Sequence, residues 1–160
     1  TGWSRGSREN TASVTSDGWL YMQHRGGSRG FLKVTGSHTL AWADITDNKQ
    51  YIGTRNVDDE NRVSLFLTDC PNQRRLKIMC SARTVERDEP DFSEDIIDGE
   101  CDVPTERAWL VDVAALDLKC PKYITPRFTE ADIAPAVEKL IKRIHDLEAQ
   151  LELAAHSKPR

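Results

Sequence analysis

From Thr11 to Val34 apolar and polar positions alternate in short runs parted by turn residues: TASVT, then Ser16-Asp17-Gly18, then WLYMQ, a glycine bend, and GFLKV. Alternation with a period of two marks a half-buried strand, and Asp-Gly between two such runs marks a hairpin, because glycine accepts the positive φ of a tight turn. Thr35-Gly36-Ser37 then turns the chain into TLAWA, Thr39 to Ala43. Further along, RVSLFLT (Arg62 to Thr68) and RLKIMCSARTV (Arg75 to Val85) flank the turn Asp69-Cys70-Pro71-Asn72, and AWLVDVAALDL follows at Ala108 to Leu118. About six strands with short connections predict a mainly β fold, an antiparallel sheet closed into a small barrel, since closure removes exposed edges. Between the strands, Asn48 to Arg62 reads as a short helix, and Asp88 to Asp102 as an acidic, mobile loop.

The C-terminal part has a different period. Ile133, Val137, Leu140, Ile144, Leu147, Leu151 and Ala154 recur at alternating spacings of four and three, a heptad stripe on one face of a helix. Asp132 is the expected N-cap, which would leave Pro135 in the first turn, where its missing N–H costs nothing. Two readings of the stripe stay open: it packs on its own barrel, or it covers a partner subunit. The expected layout is a lead-in over 1–10, a barrel over 11–128 and an amphipathic helix over 129–155.

Composition narrows the function classes. A chain of 160 residues with 38% hydrophobic content can bury one core, and one domain is expected. A net charge of -4 argues against a dedicated nucleic-acid binder, because phosphate affinity comes from an excess of Lys and Arg on one face. The RGG-like run QHRGGSRG beside Trp19 and Tyr21 offers a basis for RNA contact, but against that acidic total. Cys70, Cys80, Cys101 and Cys120 form no CxxC pair and have no His at metal spacing, so reduced thiols in a cytoplasmic protein are expected and no metal. No apolar run reaches the ~20 residues of a membrane span, so a soluble protein without a membrane partner is expected.

The candidate chemistry is cationic. There is no GxSxG, Walker loop or HExxH, and no long helix follows GGSRG as a dinucleotide fingerprint would need. Arg25, Arg29 and Lys33 cluster around the glycine bend, and Asn48 and Lys49 sit where a helix would begin. Side-chain cations together with free N–H groups at a helix start suit a phosphate. A solvated basic turn, with glycines needed only for geometry, accounts for the same residues.

The runs DGWLYMQHRGG, GFLKV, TLAWADITDNKQYI, NRVSLFLTDCPNQRRLKI and CPKYITPRFTEADIAPAV resemble, in order and from Asp17 to Leu151, the pyridoxamine 5'-phosphate oxidase-like group of FMN-binding split-barrel proteins. More narrowly, they are similar to its bacterial flavin-nucleotide-binding members. The resemblance implies an antiparallel split β-barrel, an FMN cofactor, and a homodimer with the flavin site between subunits. It places the strand Tyr21 to Arg25, with Gln23 and His24, along the isoalloxazine ring, and Arg25 and Lys33 near the phosphate. It brings Trp42, Ala43 and Asp44 past the flavin, and Asn48, Lys49 and Gln50 to its phosphate, with Lys49 alone keeping the charge of the family's basic pair. Arg74 and Arg75 would reach the flavin across the dimer interface. Where relatives carry a Trp-Asn-Cys-Pro-Gln-His run, this chain has Leu118 to Tyr123, so that Pro121 and Lys122 would border the ring. The family's longer lead-in and apolar first strand have no counterpart in TGWSRGSREN, and residues are expected to be missing before TASVT. The implied activity is that of an oxidoreductase working with a small-molecule electron donor or acceptor, with a non-catalytic flavin carrier, sensor or assembly subunit as the alternative. The Arg-rich C-terminal substrate motif of pyridoxamine phosphate oxidation is not found in CPKYITPRFT, and no residue identifies itself as a catalytic acid or base.

Overall fold

The computed structural model describes residues 8–27, 30–45, 51–97, 104–119 and 122–156. Seven strands form one antiparallel sheet: β1 (Arg8–Val14), β2 (Leu20–Arg25), β3 (Lys33–Val34), β4 (Thr39–Ile45), β5 (Arg62–Asp69), β6 (Arg74–Glu86) and β7 (Thr105–Lys119). Helix α1 (Ile52–Asp59) lies between β4 and β5, and helix α2 (Glu130–His156) follows β7. The ladder runs β2-β1-β5-β6-β7-β4-β3, so β2 and β3 are the two edges and the barrel is split rather than closed by hydrogen bonds between them. The described residues fall into two compact units, divided between Thr125 and Pro126.

The hairpins form where turn chemistry allows them. Gly18, at φ 86°, closes the β1–β2 turn by donating to the Thr15 carbonyl at 2.8 Å. Between β5 and β6 the Asp69 carboxylate accepts from the Asn72 side-chain amide at 2.8 and 3.0 Å, and Gln73 takes a positive φ of 52°.

Register and alternation divide the sheet into two covered faces. The inner face carries the larger core: Val63, Leu65 and Leu67 of β5, Ile78, Cys80 and Ala82 of β6, Trp109 and Val111 of β7, and Trp42 of β4, with Val57 of α1 packed among them. Helix α1 turns Gly53, Thr54, Asn56 and Val57 inward. A Cβ at Gly53 would stand 3.0 Å from Gln23 Oε1 and 3.1 Å from Arg25 Nη2, so glycine is what lets this helix approach β2. The outer face carries a smaller core, in which Ile96, Val85, Ala41 and Ala108 meet.

Several expectations shift in detail. β1 begins at Arg8, within the stretch read as lead-in, because β5 pairs with it from Arg8 to Ala12. The strand expected from Gly30 shrinks to Lys33–Val34, since Phe31 and Leu32 pack irregularly on the inner core. The described part of the acidic segment is ordered by a 3-10 helix (Glu94–Ile96), and Ile96, only 2% exposed, anchors it on the outer core. Helix α2 is capped by Thr129 instead of Asp132: the Thr129 hydroxyl accepts from the Asp132 N–H at 3.3 Å, and the Asp132 carboxylate accepts from the Thr129 N–H at 2.8 Å. Pro135 therefore lies inside the helix, past the turn whose N–H groups need no partner. No helix among the described residues is long and apolar enough to cross a membrane.

Candidate functional site

On the inner face of β1 and β2 the alternation that buries apolar groups elsewhere buries polar ones. Glu9, Thr11 and Ser13 are at most 3% exposed. Glu9 stands opposite Arg25, Thr11 opposite Gln23 and Ser13 opposite Tyr21. Arg25 is the centre of this cluster. Its Nη1 donates to Asp44 Oδ1 at 2.9 Å, and its guanidinium lies 4.8 Å above the centroid of Trp109. Trp109 in turn stacks on Trp42 at 5.3 Å with 15° between the rings. A desolvated cation over an indole face and beside a carboxylate is held from two sides. Glu9 is less well served: Thr11 donates to its Oε1 at 3.2 Å, while Oε2 has no hydrogen-bond partner among the described residues. Burial pushes its carboxyl up to about 7 against the opposing pull of Thr11 and Arg25. Burial, helped by the Glu9 charge, likewise pushes the Cys80 thiol up to about 12, which keeps it an inert thiol. Gln23 Oε1, Arg25 Nε and both indole N–H groups are also without partners among the described residues.

Lys33 belongs to the other face. It pairs in register with Ala41, Ala41 with Leu110, and Leu110 with Arg83, so that the four form one row across β3, β4, β7 and β6. At this row an open cavity of about 670 Å³ is lined by Lys33, Thr35, Thr39, Asp91, Asp95, Ile96 and Leu110. Arg83 donates to Asp91 at 2.7 Å, a pair more than half exposed and of small energetic weight. Among the described residues Lys33 has no ion-pair partner. The volume is that of an ordinary small-molecule cleft. An ammonium without an ion-pair partner among the described residues, threonine hydroxyls and two apolar side chains are a lining that suits an anionic group joined to an apolar one, while the Asp91 and Asp95 carboxylates in the same lining work against an anion.

The remaining predicted residues lie elsewhere. His24 points outward from β2, in a row with Asn10, Phe66 and Lys77. Arg75 is half-buried on that same outer face with Nε unpartnered among the described residues, and Arg74 is exposed at the start of β6. Lys122 is exposed, 6.0 Å from the ring centroid of its neighbour Tyr123. Ala43 packs on the outer core and Trp42, 1% exposed, is sealed in the inner one. Asn48, Lys49, Gln50 and Pro121 lie outside the described residues, as does Arg29. The structure thus brings Gln23, Arg25, Trp42 and Asp44 together, sets Lys33 across the sheet from them, and leaves His24 and Arg75 on an outer surface. Residues missed by sequence reading are Glu9, Gly53, Arg83 and Trp109. Only Glu9 carried a signal, the spacing Glu9, Thr11, Ser13 that continues the strand's alternation backwards.

No protein-family model matches the sequence, and no curated protein matches it significantly. Solved structures do. A single-substitution variant of HupZ from Group A Streptococcus superposes with a TM-score of 0.59 at 12% identity, over 74% of this chain and 94% of that one. A candidate pyridoxamine 5'-phosphate oxidase from Lactobacillus delbrueckii gives 0.54 at 17% identity, over 70% of this chain and 84% of its own. A Clostridium acetobutylicum protein related to general stress protein 26, of the pyridoxinephosphate oxidase family, gives 0.51 at 11% identity over 70% and 78%. Identities this low establish a shared fold.

Proposed function

We propose that this chain, which has the pyridoxamine 5'-phosphate oxidase-like split-barrel fold, binds FMN and acts as an oxidoreductase. The observation that carries the reading is Lys33, a cation without an ion-pair partner among the described residues, in the lining of an open cavity that Leu110 and Ile96 also line. Lys33 would hold the phosphate, helped by Thr35, and Leu110 and Ile96 would support apolar parts of the cofactor. Bound FMN supplies hydride and electron transfer; the protein supplies binding, orientation and control of access. Arg25 has a different part in this reading. Its guanidinium is already committed to Asp44 and Trp109, so it stiffens the barrel wall and leaves the phosphate to Lys33. Lys33 and the exposed His24 lie on opposite edge strands of the sheet, with the half-buried Arg75 on β6 between them, and this separation supports a site shared by two subunits.

A non-catalytic flavin-binding module uses the same residues, and turnover separates the two. In the oxidoreductase reading NADH, NADPH or another donor bleaches the flavin absorbance of the loaded protein and an acceptor restores it. Failure of every donor and acceptor would leave the carrier or sensor. Binding itself is tested by titrating the protein with FMN and following flavin fluorescence. Lys33→Ala should weaken the complex by about 1.5 to 3 kcal/mol, roughly 10- to 150-fold, without change in thermal stability. Equal affinity in the variant would remove Lys33 from the site.

A further inference from the structure

The strongest unassigned surface is on α2. Its apolar stripe is exposed along its whole length, from 41% at Leu147 to 69% at Leu151, with Ile133, Val137, Leu140 and Ile144 between these values. The identities along the stripe are not interchangeable. With Ile133 at a d position, the a positions are Val137, Ile144 and Leu151, and the d positions are Ile133, Leu140, Leu147 and Ala154. In the two central heptads, Val137 and Ile144 at a with Leu140 and Leu147 at d are the β-branched and leucine combination that favours two parallel strands over three or four. The flanks agree. Arg143 occupies a g position and Glu148 the e position of the next heptad, so that in a parallel pair each Arg143 faces the Glu148 of the other helix, twice by symmetry. Ala136 and Ile141, the preceding g and e pair, would meet as an apolar contact. Pro135 falls at an f position, on the side away from the stripe, so its missing hydrogen bond faces solvent and leaves the seam intact.

We propose that α2 pairs with α2 of a second copy of this chain as a parallel two-stranded coiled coil. The inference rests on α2 alone and stands whether or not the barrel binds flavin.

The test uses the full chain carrying Val137→Cys, oxidised gently and compared on a non-reducing gel with the unsubstituted chain, which controls for the native cysteines. A parallel seam puts position 137 of one helix against position 137 of the other, so a disulfide-linked dimer should form at least tenfold more than with Glu138→Cys, one residue off the stripe. Equal cross-linking of the two variants would overturn the proposal. An antiparallel pairing would instead join Val137→Cys to Leu147→Cys in a mixed sample in preference to either alone, which would overturn it equally. A second, disulfide-free readout is charge reversal: Arg143→Glu should raise the dissociation constant of the helix pair, measured by chemical cross-linking of dilute chains, and adding Glu148→Arg should restore it. No loss with the single reversal, or no rescue by the double, would sink the g–e pairing and with it the parallel arrangement.

Discussion

The inner face of the sheet is built in two ways. Across β5, β6, β7 and β4 it is filled by leucine, isoleucine, valine and a stacked tryptophan pair. Across β1 and β2 the equivalent positions are Glu9, Thr11, Ser13, Gln23 and Arg25. The change takes place within single rows: Leu76 and Leu67 are followed by Glu9 and Arg25, and Ile78 and Leu65 by Thr11 and Gln23. The apolar half gains stability from each Å² buried. The polar half loses about 1 to 3 kcal/mol for each buried group left without a partner, and Glu9, Gln23 and Arg25 each hold one such group among the described residues. A fold that keeps such groups is stabilised elsewhere, and the apolar half is where the surplus lies.

The residue that joins the halves should show the largest effect. Trp109 is completely buried, stacks on Trp42 and supports the Arg25 guanidinium. Trp109→Ala removes the packing and the cation's platform together and should cost about 3 to 5 kcal/mol in chemical denaturation. A loss below about 1.5 kcal/mol would mean that the polar half does not lean on the apolar one.

Next comes Glu9, whose effect depends on pH. Its carboxyl titrates at about 7 when folded, against 4.5 as its ordinary value, so between these two values the folded state binds more protons than the unfolded one. Stability should be complete below about pH 4.5, fall as the pH rises toward 7, and level off beyond it, with a total loss of about 3 kcal/mol. Glu9→Gln cannot ionise. Its melting temperature should match the parent near pH 4 and exceed it at pH 8 by roughly 6 to 10 °C. Parallel pH profiles for the two proteins would show that Arg25 neutralises the carboxylate without cost.

The same division decides how much of the molecule was legible in the sequence. β4 to β7 follow from alternation and from turns such as Asp69 to Asn72, because apolar burial and strand period agree there. β1 looks shorter in sequence than it is because a Glu among polar neighbours has the pattern of solvated chain, and only its pairing with β2 and β5 shows it to be buried. Asp132 and Thr129 compete in sequence for the N-cap of α2 because both residue types cap well, and their reciprocal bonds appear only in three dimensions. Lys33 and Arg25 are close in sequence and lie on opposite faces, since the irregular stretch around Phe31 resets the parity that a continuous strand would keep. Side-chain contacts that cross from β2 to α1, as at Gly53, leave no periodic trace at all.

The smallest of these effects is the most specific to the polar half. Asn56 of α1 donates from Nδ2 to Ser13 Oγ at 2.9 Å, tying the helix to β1 with both groups buried. Asn56→Ala should cost about 1 to 2 kcal/mol, because it leaves the Ser13 hydroxyl buried without its donor. The double variant Ser13→Ala with Asn56→Ala removes both partners and the orphan with them, so it should be more stable than Asn56→Ala alone. If the double variant instead loses the sum of the single losses, the bond makes no contribution of its own. The polar half would then be held by the shape of α1 against the sheet, as the apolar half is held by packing.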